Sequence, residues 1–236
     1  MIRLRPAAAR GHAEHGWLDS HHSFSFADYY DPAEMGWGVL RVINEDRVAP
    51  GMGFGTHGHR DMEIISVVLD GELQHRDSMG NGAVIRPGEV QRMSAGTGVM
   101  HSEFNASQKD PVHFLQIWLQ PSARGIAPSY EQKDFAPAQL AGRLQAVVTP
   151  EGEGAALRIN QDASLYRARL AAGESVRFTP TAGRLAYLHL IEGAASLNGT
   201  ALATGDGARI ADEALLEITA SAPTDLLLFD LPPAEH

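Results

Sequence analysis

Apolar residues fall in short runs separated by glycine and proline along most of the chain. Few runs have the spacing of a helix, and the best helical segment, 137–144, is short. Runs of this length between turn residues indicate β-strands, and many of them at regular spacing indicate a sandwich or a barrel. The predicted strands are Val39–Ile43, Glu63–Leu69, Leu73–Arg76, Ala83–Arg86, Val112–Leu119, Leu144–Val148, Ser164–Leu170, Ser175–Thr179, Leu185–Ile191, Leu215–Ala220 and Asp225–Leu231.

The middle of the chain differs from this pattern. Residues 120–137 carry Pro121, Gly125, Pro128 and Pro137 among polar residues. Such a stretch is typical of a linker between two structural units. We therefore predict two domains, residues 1–130 and residues 131–236.

The two halves also repeat a turn pattern. The Asn-Gly pair at 81–82 is followed by Gly88-Glu89, and the Asn-Gly pair at 198–199 is followed at the same distance by Gly205-Asp206. An apolar run lies between the turns in each case. The repetition favours a duplicated β-domain, while two ordinary hairpins with common turn residues remain the alternative.

Two short motifs carry the candidate chemistry: His57-Gly58-His59 and His101-Ser102-Glu103. Alternate residues of a strand face the same side, so each motif presents two ligands together. Glu63 shares the parity of the first motif and is an alternative carboxylate, but on a straight strand it lies about 13 Å beyond His59. Because the chain has no cysteine, any metal must have nitrogen and oxygen ligands. Such a set suits iron, nickel, copper, zinc or manganese.

The second half has no equivalent ligands. Gly71 and Gly193 close corresponding strands, and Gly88 and Gly205 open corresponding ones. Each candidate ligand lies at a fixed number of residues from Gly71 or Gly88. The same numbers of residues counted from Gly193 or Gly205, without gaps, lead to Thr179, Thr181, Ile218 and Ala220. The sequence therefore predicts one metal site, in the first domain.

Charge and composition exclude several other classes. The formal net charge is −10, which disfavours a nucleic-acid partner. No apolar stretch is long enough to cross a bilayer, and the basic N-terminus has no apolar run behind it, which argues against a secretory signal. There is no Gly-x-Ser-x-Gly motif and no glycine-rich phosphate loop. We predict a monomer in the cytoplasm.

Several segments resemble the pirin family. The residues 55–64 and 94–103, which contain the two histidine motifs, are similar to its two cupin motifs. The segments 23–32, 40–46 and 73–81 are similar to other parts of its N-terminal domain. The likeness is specific through about residue 120 and loose afterwards. Gly58 departs from the family, which usually has proline there.

The resemblance implies an all-β bicupin, with two antiparallel β-barrel (jelly-roll) domains face to face and the metal in the N-terminal one. It implies His57, His59, His101 and Glu103 as ligands, and it favours Glu103 over Glu63. The cofactor is then one divalent metal ion per chain, with iron favoured and nickel, copper, manganese and zinc as alternatives.

The bacterial members resemble quercetin 2,3-dioxygenases, which open a flavonol ring and release carbon monoxide. The resemblance thus implies an oxidoreductase with a flavonol-like substrate and dioxygen. Glu103 is its candidate catalytic base, because a carboxylate near the metal can take the proton of the substrate's 3-hydroxyl group. The alternatives are a metal-binding regulatory or redox-sensing interaction protein without turnover, and a different cupin activity such as isomerisation.

Other polar and aromatic residues have weaker predictions. For His75 a role in the following turn is favoured over a role in orienting a ligand. The side chains of His113 and Gln116 are expected in the core, and His21 and His22 in an N-terminal clasp. Trp17 and Trp37 are expected to pack against other apolar side chains.

Overall fold

The predicted β-strands extend along nearly the whole chain in the computed structural model, which describes residues 1–234. The strands are β1 (Ile2–Arg5), β2 (Gly11–Glu14), β3 (Leu18–His22), β4 (Leu40–Val48), β5 (Gly53–His59), β6 (Glu63–Asp70), β7 (Leu73–Asp77), β8 (Gly82–Ile85), β9 (Glu89–Ser94), β10 (Val99–Asn105), β11 (Val112–Leu119), β12 (Ser129–Asp134), β13 (Gln145–Thr149), β14 (Leu157–Arg158), β15 (Ser164–Leu170), β16 (Ser175–Phe178), β17 (Leu185–Glu192), β18 (Ala194–Leu197), β19 (Thr200–Ala203), β20 (Gly207–Ala211), β21 (Leu216–Ala220) and β22 (Thr224–Leu231). A 3-10 helix (Ala7–Ala9) and α1 (Pro137–Leu140) are short. No helix in this part of the chain has the length and hydropathy of a membrane span.

The strands form two barrels of the same design. In the N-terminal barrel a seven-stranded sheet, β12-β9-β6-β11-β4-β3-β2, packs on a four-stranded sheet, β5-β10-β7-β8. In the C-terminal barrel the corresponding sheets are β1-β20-β17-β22-β15-β13-β14 and β16-β21-β18-β19. The strand pairs are antiparallel except for β13 with β14. The predicted all-β bicupin fold is confirmed.

The two barrels meet through their seven-stranded sheets. Ile65 and Ile117 of the N-terminal barrel belong to one buried cluster with Leu165 and Phe229 of the C-terminal barrel. Successive side chains of a strand point to opposite faces, so the neighbouring Gln116 points into the N-terminal barrel. Burial of each large apolar side chain contributes about 1.5–3 kcal/mol. The interface between the barrels is therefore a substantial part of the hydrophobic core.

Matching glycines support the internal duplication. Gly71 has φ +77°, and a Cβ atom there would lie 2.5 Å from the carbonyl oxygen of Pro111. Gly193 has φ +100°, and a Cβ atom there would lie 2.2 Å from the carbonyl oxygen of Pro223. Only glycine tolerates both the positive φ and the close approach. The same tight passage recurs at the same position of each barrel.

The strand register corrects the gapless alignment of the two halves that the sequence suggested. His57 lies opposite His101 in the pair β5–β10, and Val176 lies opposite Ile218 in the corresponding pair β16–β21. Thr179 and Thr181 follow β16 and were the wrong counterparts of the first motif. The correct ones are Val176 and Phe178, which also cannot bind a metal. An apolar cluster fills the interior of this barrel.

The linker prediction for 120–137 was wrong in part. Residues Ser129–Asp134 form β12, which pairs with β9 at the edge of the N-terminal sheet. This strand runs across residue 130, where the sequence predicted the division between domains. The strand lies at the sheet edge, where most of its side chains are half-buried and polar. It therefore has no alternation of apolar and polar residues that would have predicted it.

The first strand crosses to the other barrel. β1 pairs with β20 of the C-terminal barrel, with Ile2 opposite Ile210. The Met1 ammonium group donates hydrogen bonds to the carbonyl oxygen of Ala211 (2.6 Å) and to Glu213 Oε1 (2.7 Å). The beginning of the chain thus completes a sheet of the second barrel.

A buried ion pair holds the segment after β1 to the N-terminal sheet. Arg10 Nη1 donates to Glu45 Oε2 at 2.8 Å, and His113 Nε2 lies 2.9 Å from Glu45 Oε1. Burial alone raises the pKa of Glu45, but the hydrogen bonds from His113 and Arg10 outweigh burial and hold this pKa well below its usual value of 4.5. His113 is thus half-buried in an ion-pair network.

Replacement of Glu45 by glutamine should lower the free energy of unfolding by about 3 kcal/mol near pH 7, because it leaves Arg10 buried without its counter-charge. A depressed pKa in the folded state stabilises the protein above the pKa of the unfolded state, and that stabilisation is lost as the pH falls. Urea unfolding of both proteins from pH 7 to pH 3 should therefore show a difference that shrinks below about pH 4.5. A difference independent of pH would contradict this assignment.

Candidate metal centre

Three histidines converge where β5 and β10 pair. His57 lies directly opposite His101, and His59 lies opposite Val99. The ring centroids of His57 and His101 are 4.4 Å apart, and His59 is 4.8 Å from each of them. The His57 and His101 Nε2 atoms are 3.0 Å apart. The alternation of both strands thus brings the side chains of separate motifs to one point.

Hydrogen bonds fix the protonation of two of these rings. His57 Nδ1 lies 2.8 Å from the carbonyl oxygen of Gly55, which can only accept, so we assign the proton to Nδ1. His101 Nδ1 lies 3.5 Å from His75 Nδ1, and His75 Nε2 lies 3.0 Å from Asp77 Oδ2. Asp77 can only accept, so His75 Nε2 donates to Asp77 and leaves His75 Nδ1 as an acceptor. His101 Nδ1 then donates to His75 Nδ1. Both facing Nε2 atoms therefore carry lone pairs.

Two facing lone pairs at this distance repel unless a cation lies between them, and this arrangement fits a metal ion. Nitrogen ligands at about 2.1 Å from one ion are about 3.0–3.4 Å apart for ligand angles of about 90–109°. The spacing of the His57 and His101 nitrogens falls in that range. Metal-bound histidines commonly donate their other ring proton to a carbonyl or a carboxylate, as His57 does to a carbonyl.

Two of the histidines, His59 and His101, are also kept neutral, as metal binding requires. Burial, together with the nearby His57, lowers the pKa of His59 to about 4. Burial, followed by His57, His59 and His75, lowers the pKa of His101 to about 3. At neutral pH both rings therefore have a free lone pair.

Glu103 follows His101 by two positions on β10 and therefore lies on the same face of that strand. The register of β10 against β5 shifts between His101 and Glu103, which puts Glu103 opposite Phe54. Gly53 permits the close approach there, since a Cβ atom would lie 2.3 Å from the Glu103 carbonyl oxygen. Gln116 Nε2 donates to both carboxylate oxygens of Glu103, at 3.1 and 2.8 Å. Burial raises the pKa of Glu103.

The carboxylate is not equally near to all three histidines. The ligating atoms of His57, His59 and His101 lie within 4.8 Å of one another, whereas Glu103 forms a group of that size with His101 and His75. Glu103 thus lies at the side of the three-histidine cluster, next to His101. Its carboxylate is available to the metal or to a bound substrate.

Glu63, the alternative carboxylate, is engaged elsewhere. It is fully buried and accepts a hydrogen bond from Ser94 Oγ at 2.8 Å. The backbone and side chain of Asn160, from the second half of the chain, also donate to it at 3.3 and 3.4 Å. Glu63 therefore links the two domains and has no place among the clustered ligands.

The role of His75 differs from the one that the sequence favoured, which was to cap the following turn. Asp77 Oδ1 caps the turn by accepting from the backbone N–H groups of Met79 and Asn81. The fully buried His75 connects that aspartate to His101 and packs against Tyr130 in a tilted arrangement, with ring centroids 4.9 Å apart. Its position supports the ligand-orienting role.

An aromatic cavity opens beside the histidines. Its volume is about 300 Å³, and His57, His59 and Glu103 line it at one end. Trp17, Phe26, Phe54 and Trp118 form much of its apolar wall. Trp17 packs edge-on against Phe54, and Trp118 packs edge-on against both Phe26 and His59. The volume and lining are those of a small-molecule site.

A polar group of residues lies on another part of the cavity wall. Ser20 Oγ donates to Asp46 Oδ1 and lies 2.8 Å from His22 Nε2. Burial raises the pKa of Asp46 to about 7 and lowers the pKa of His22 to about 4. The side chain of Asn44 also lines the cavity.

Sequence reasoning missed this polar wall and the contact of Gln116 with Glu103. Barrel closure brings β3, β4 and β11 to the histidine motifs, and no local pattern reveals that. His22 was expected in an N-terminal clasp, but it lines the cavity together with Ser20. The alternation of these two polar residues along β3 was the one sequence signal that they share a face. Trp17 lines the cavity, whereas Trp37 donates a hydrogen bond to the carbonyl oxygen of Ala186 in the other barrel.

Gln116→Leu should reduce the catalytic efficiency of the metal-loaded protein about 10–100-fold, the usual cost of losing a partner that orients a ligand. The substitution leaves the Glu103 carboxylate buried without its main donor. Steady-state kinetics and metal content per chain test this, with circular dichroism to verify folding. Unchanged kinetics in a folded, metal-loaded variant would show that Gln116 does not orient the carboxylate.

Two family models match the chain. The model described as Pirin matches residues 3–119, and the model described as Quercetinase C-terminal cupin domain matches residues 146–231. The first contains all four candidate ligands. The two matches fall in the two barrels.

Full-length relatives agree with these matches. The chain is 48% identical to a quercetin 2,3-dioxygenase of Escherichia coli, over 99% of this chain and all of the relative. The crystal structure of YhhW from the same organism has a TM-score of 0.96 and 47% identity, with complete coverage of both chains. The crystal structure of the bacterial pirin YhhW in complex with nickel(II) has a TM-score of 0.95 and 47% identity, covering 99% of this chain and all of that one.

Proposed function

Because the chain belongs to the pirin family and is similar over its full length to a quercetin 2,3-dioxygenase, we propose that it is a metal-dependent dioxygenase. Its substrate is flavonol-like, its second substrate is dioxygen, and its products include carbon monoxide. The observation that carries the proposal is the convergence of three histidines, with a buried carboxylate beside them, next to an aromatic cavity.

The proposed ligands of one divalent ion are His57, His59, His101 and Glu103. A bound ion would supply a Lewis acid that favours the ionised form of a substrate hydroxyl group. His75 and Asp77 hold the His101 ring in the orientation that presents Nε2. The nickel complex of YhhW supports a divalent transition metal, and the preference for iron remains a prediction.

Glu103 is the proposed base. Its carboxylate lines the cavity beside His57 and His59, so a substrate hydroxyl directed at the histidines would meet it. Burial makes the carboxylate a better proton acceptor, and Gln116 Nε2 keeps it in position. On this assignment Glu103 would take the 3-hydroxyl proton of the flavonol when its carboxylate has loosened from the ion.

The remaining cavity wall selects and shields the substrate. Trp17, Phe54 and Trp118 offer flat apolar surfaces to the aromatic rings and exclude water from the reacting end. Ser20 and Asp46 offer hydrogen bonds to polar groups at the other positions of a polyhydroxylated ring. A planar, polyhydroxylated aromatic molecule fits this distribution of groups.

The decisive experiment strips the protein of metal and reloads it separately with iron, nickel, copper, manganese and zinc. Quercetin is then added, and oxygen uptake and carbon monoxide are measured. We expect turnover with at least one metal and none in the stripped protein. Stable metal binding without turnover under every condition would refute the dioxygenase and favour the regulatory or redox-sensing alternative. The predictions of a cytoplasmic monomer that does not bind nucleic acid need separate tests.

A further inference from the structure

A second group of metal-ligating side chains lies on the outer face of the hairpin formed by β2 and β3. His12 on β2 is directly opposite His21 on β3. Asp19 precedes His21 by two positions, so all three side chains share one face. The opposite face carries Ser20 and His22, which line the cavity. The group is thus separated from the proposed catalytic ion by the thickness of the sheet.

The three side chains are already close together. His12 Nε2 lies 2.8 Å from Asp19 Oδ1, and His21 Nδ1 lies 3.5 Å from the same oxygen. The two imidazole rings stack with centroids 4.5 Å apart. One ligating atom from each of the three residues lies within 4.8 Å of the ligating atoms of the other two. Rotation of the half-exposed His12 side chain can bring them to the spacing of metal ligands.

One nitrogen of this group lacks a partner. His21 Nδ1 is shielded from solvent and makes no hydrogen bond, although the Asp19 carboxylate is nearby. A shielded polar atom without a partner costs free energy. A cation held between this nitrogen and the carboxylate would remove the cost. Two imidazoles and one carboxylate are a donor set that borderline divalent ions bind well.

The surrounding charges tolerate a cation. Arg10 and Arg47 are the neighbouring positive groups, and each donates a hydrogen bond to Glu45. Glu45 lies opposite His21 in the pair β3–β4, and Glu14 lies opposite Asp19 in the pair β2–β3. Glu45 therefore offsets one of the two arginine charges, and Glu14 places a second carboxylate beside the group.

We propose that His12, Asp19 and His21 form a second binding site for a divalent transition ion of the Zn²⁺ type. The ion fastens the hairpin from outside. β2 is the edge strand of its sheet and pairs with β3 alone. An ion bound by His12 of β2 and by Asp19 and His21 of β3 would therefore hold this edge strand to its neighbour. Because the inner face of the hairpin is cavity wall, the ion also steadies Ser20 and His22.

The test measures Zn²⁺ binding in protein whose cavity ligands have been removed. A His57→Ala/His101→Ala variant of the full chain keeps the hairpin and removes His101, which both cavity clusters contain, together with His57 of the three-histidine cluster. Calorimetric titration should show one Zn²⁺ per chain, and Zn²⁺ should raise the melting temperature. Adding His12→Ala or Asp19→Asn should weaken binding by at least about 10–100-fold, since loss of a direct ligand costs no less than loss of its supporting partner.

His15→Ala is the matched control, because His15 lies on the same hairpin but outside the group. It should leave Zn²⁺ affinity unchanged. Absence of binding in the cavity variant, or equal loss with His15→Ala, would overturn the proposal. If the cavity variant does not fold, the wild-type stoichiometry decides: two Zn²⁺ ions should fall to one with His12→Ala. No readout depends on turnover, and titration of the cavity variant does not rely on the proposed cavity ion, so failure of this proposal and failure of the proposed function are distinguishable.

Discussion

Replacement of His101 by alanine is expected to abolish metal retention in the cavity and to lower quercetin cleavage about 1000-fold or more. His101 faces His57 across the strand pair, and it alone belongs to both the three-histidine cluster and the group with Glu103. Loss of the ion removes several kcal/mol of stabilisation of the developing negative charge, and about 4 kcal/mol corresponds to about 1000-fold. Elemental analysis and oxygen uptake on the same preparation give both quantities.

His113→Gln provides the control for this variant. His113 is likewise a histidine on a β-strand, but it is half-buried and its ring contacts Glu45 in the ion-pair network. The control should keep the cavity metal and the activity. Because a second ion is proposed on the hairpin, metal is best counted in a His12→Ala background. Full activity of His101→Ala with undiminished metal would disprove the assigned site.

Replacement of Glu103 by glutamine is expected to separate metal binding from proton transfer. The amide has the shape of the carboxylate but cannot accept a proton at neutral pH, so kcat should fall by about 10²–10⁴. Three histidines remain to hold the ion, and metal content should fall far less than activity. Steady-state kinetics with quercetin at fixed oxygen should show the loss mainly in kcat.

Glu63→Gln is the matched carboxylate variant. Glu63 is as deeply buried as Glu103 and lies on the neighbouring sheet, where Ser94 and Asn160 donate to it. Its replacement should lower the melting temperature but leave kcat and metal content unchanged. If Glu63→Gln and Glu103→Gln reduced kcat equally, the assignment of the base to Glu103 would have to be abandoned.

The sequence predicted the parts of the fold that depend on local patterns. Strands such as β6, β11, β17 and β22 are buried on most positions, so they appear as continuous apolar runs. The two histidine motifs were visible because their ligands alternate along a strand. The confirmed bicupin architecture came from the family resemblance, since periodicity alone left a sandwich and a barrel equally open.

What the sequence did not reveal depends on contacts between distant segments. β1, β2 and β12 are edge strands whose positions are mostly exposed or half-buried, so nothing in their composition marks them as strands. Gln116 meets Glu103 only because the barrel closes, and the register shift after His101 comes from a bulge that no motif encodes. Pairing and closure are properties of the whole chain.

The position of β1 affects how the protein is made. Met1 and Ala211 are hydrogen-bonded across 210 residues of chain, so β1 cannot reach its partner strand until the ribosome has released almost all of the second barrel. The N-terminal barrel can form earlier, with β1 unpaired beside it during translation. The last step of folding is then the docking of β1 onto β20, a pairing of segments that are far apart in sequence. An interrupted translation product would expose β1 as a free edge, the kind of segment that chaperones bind and that aggregates.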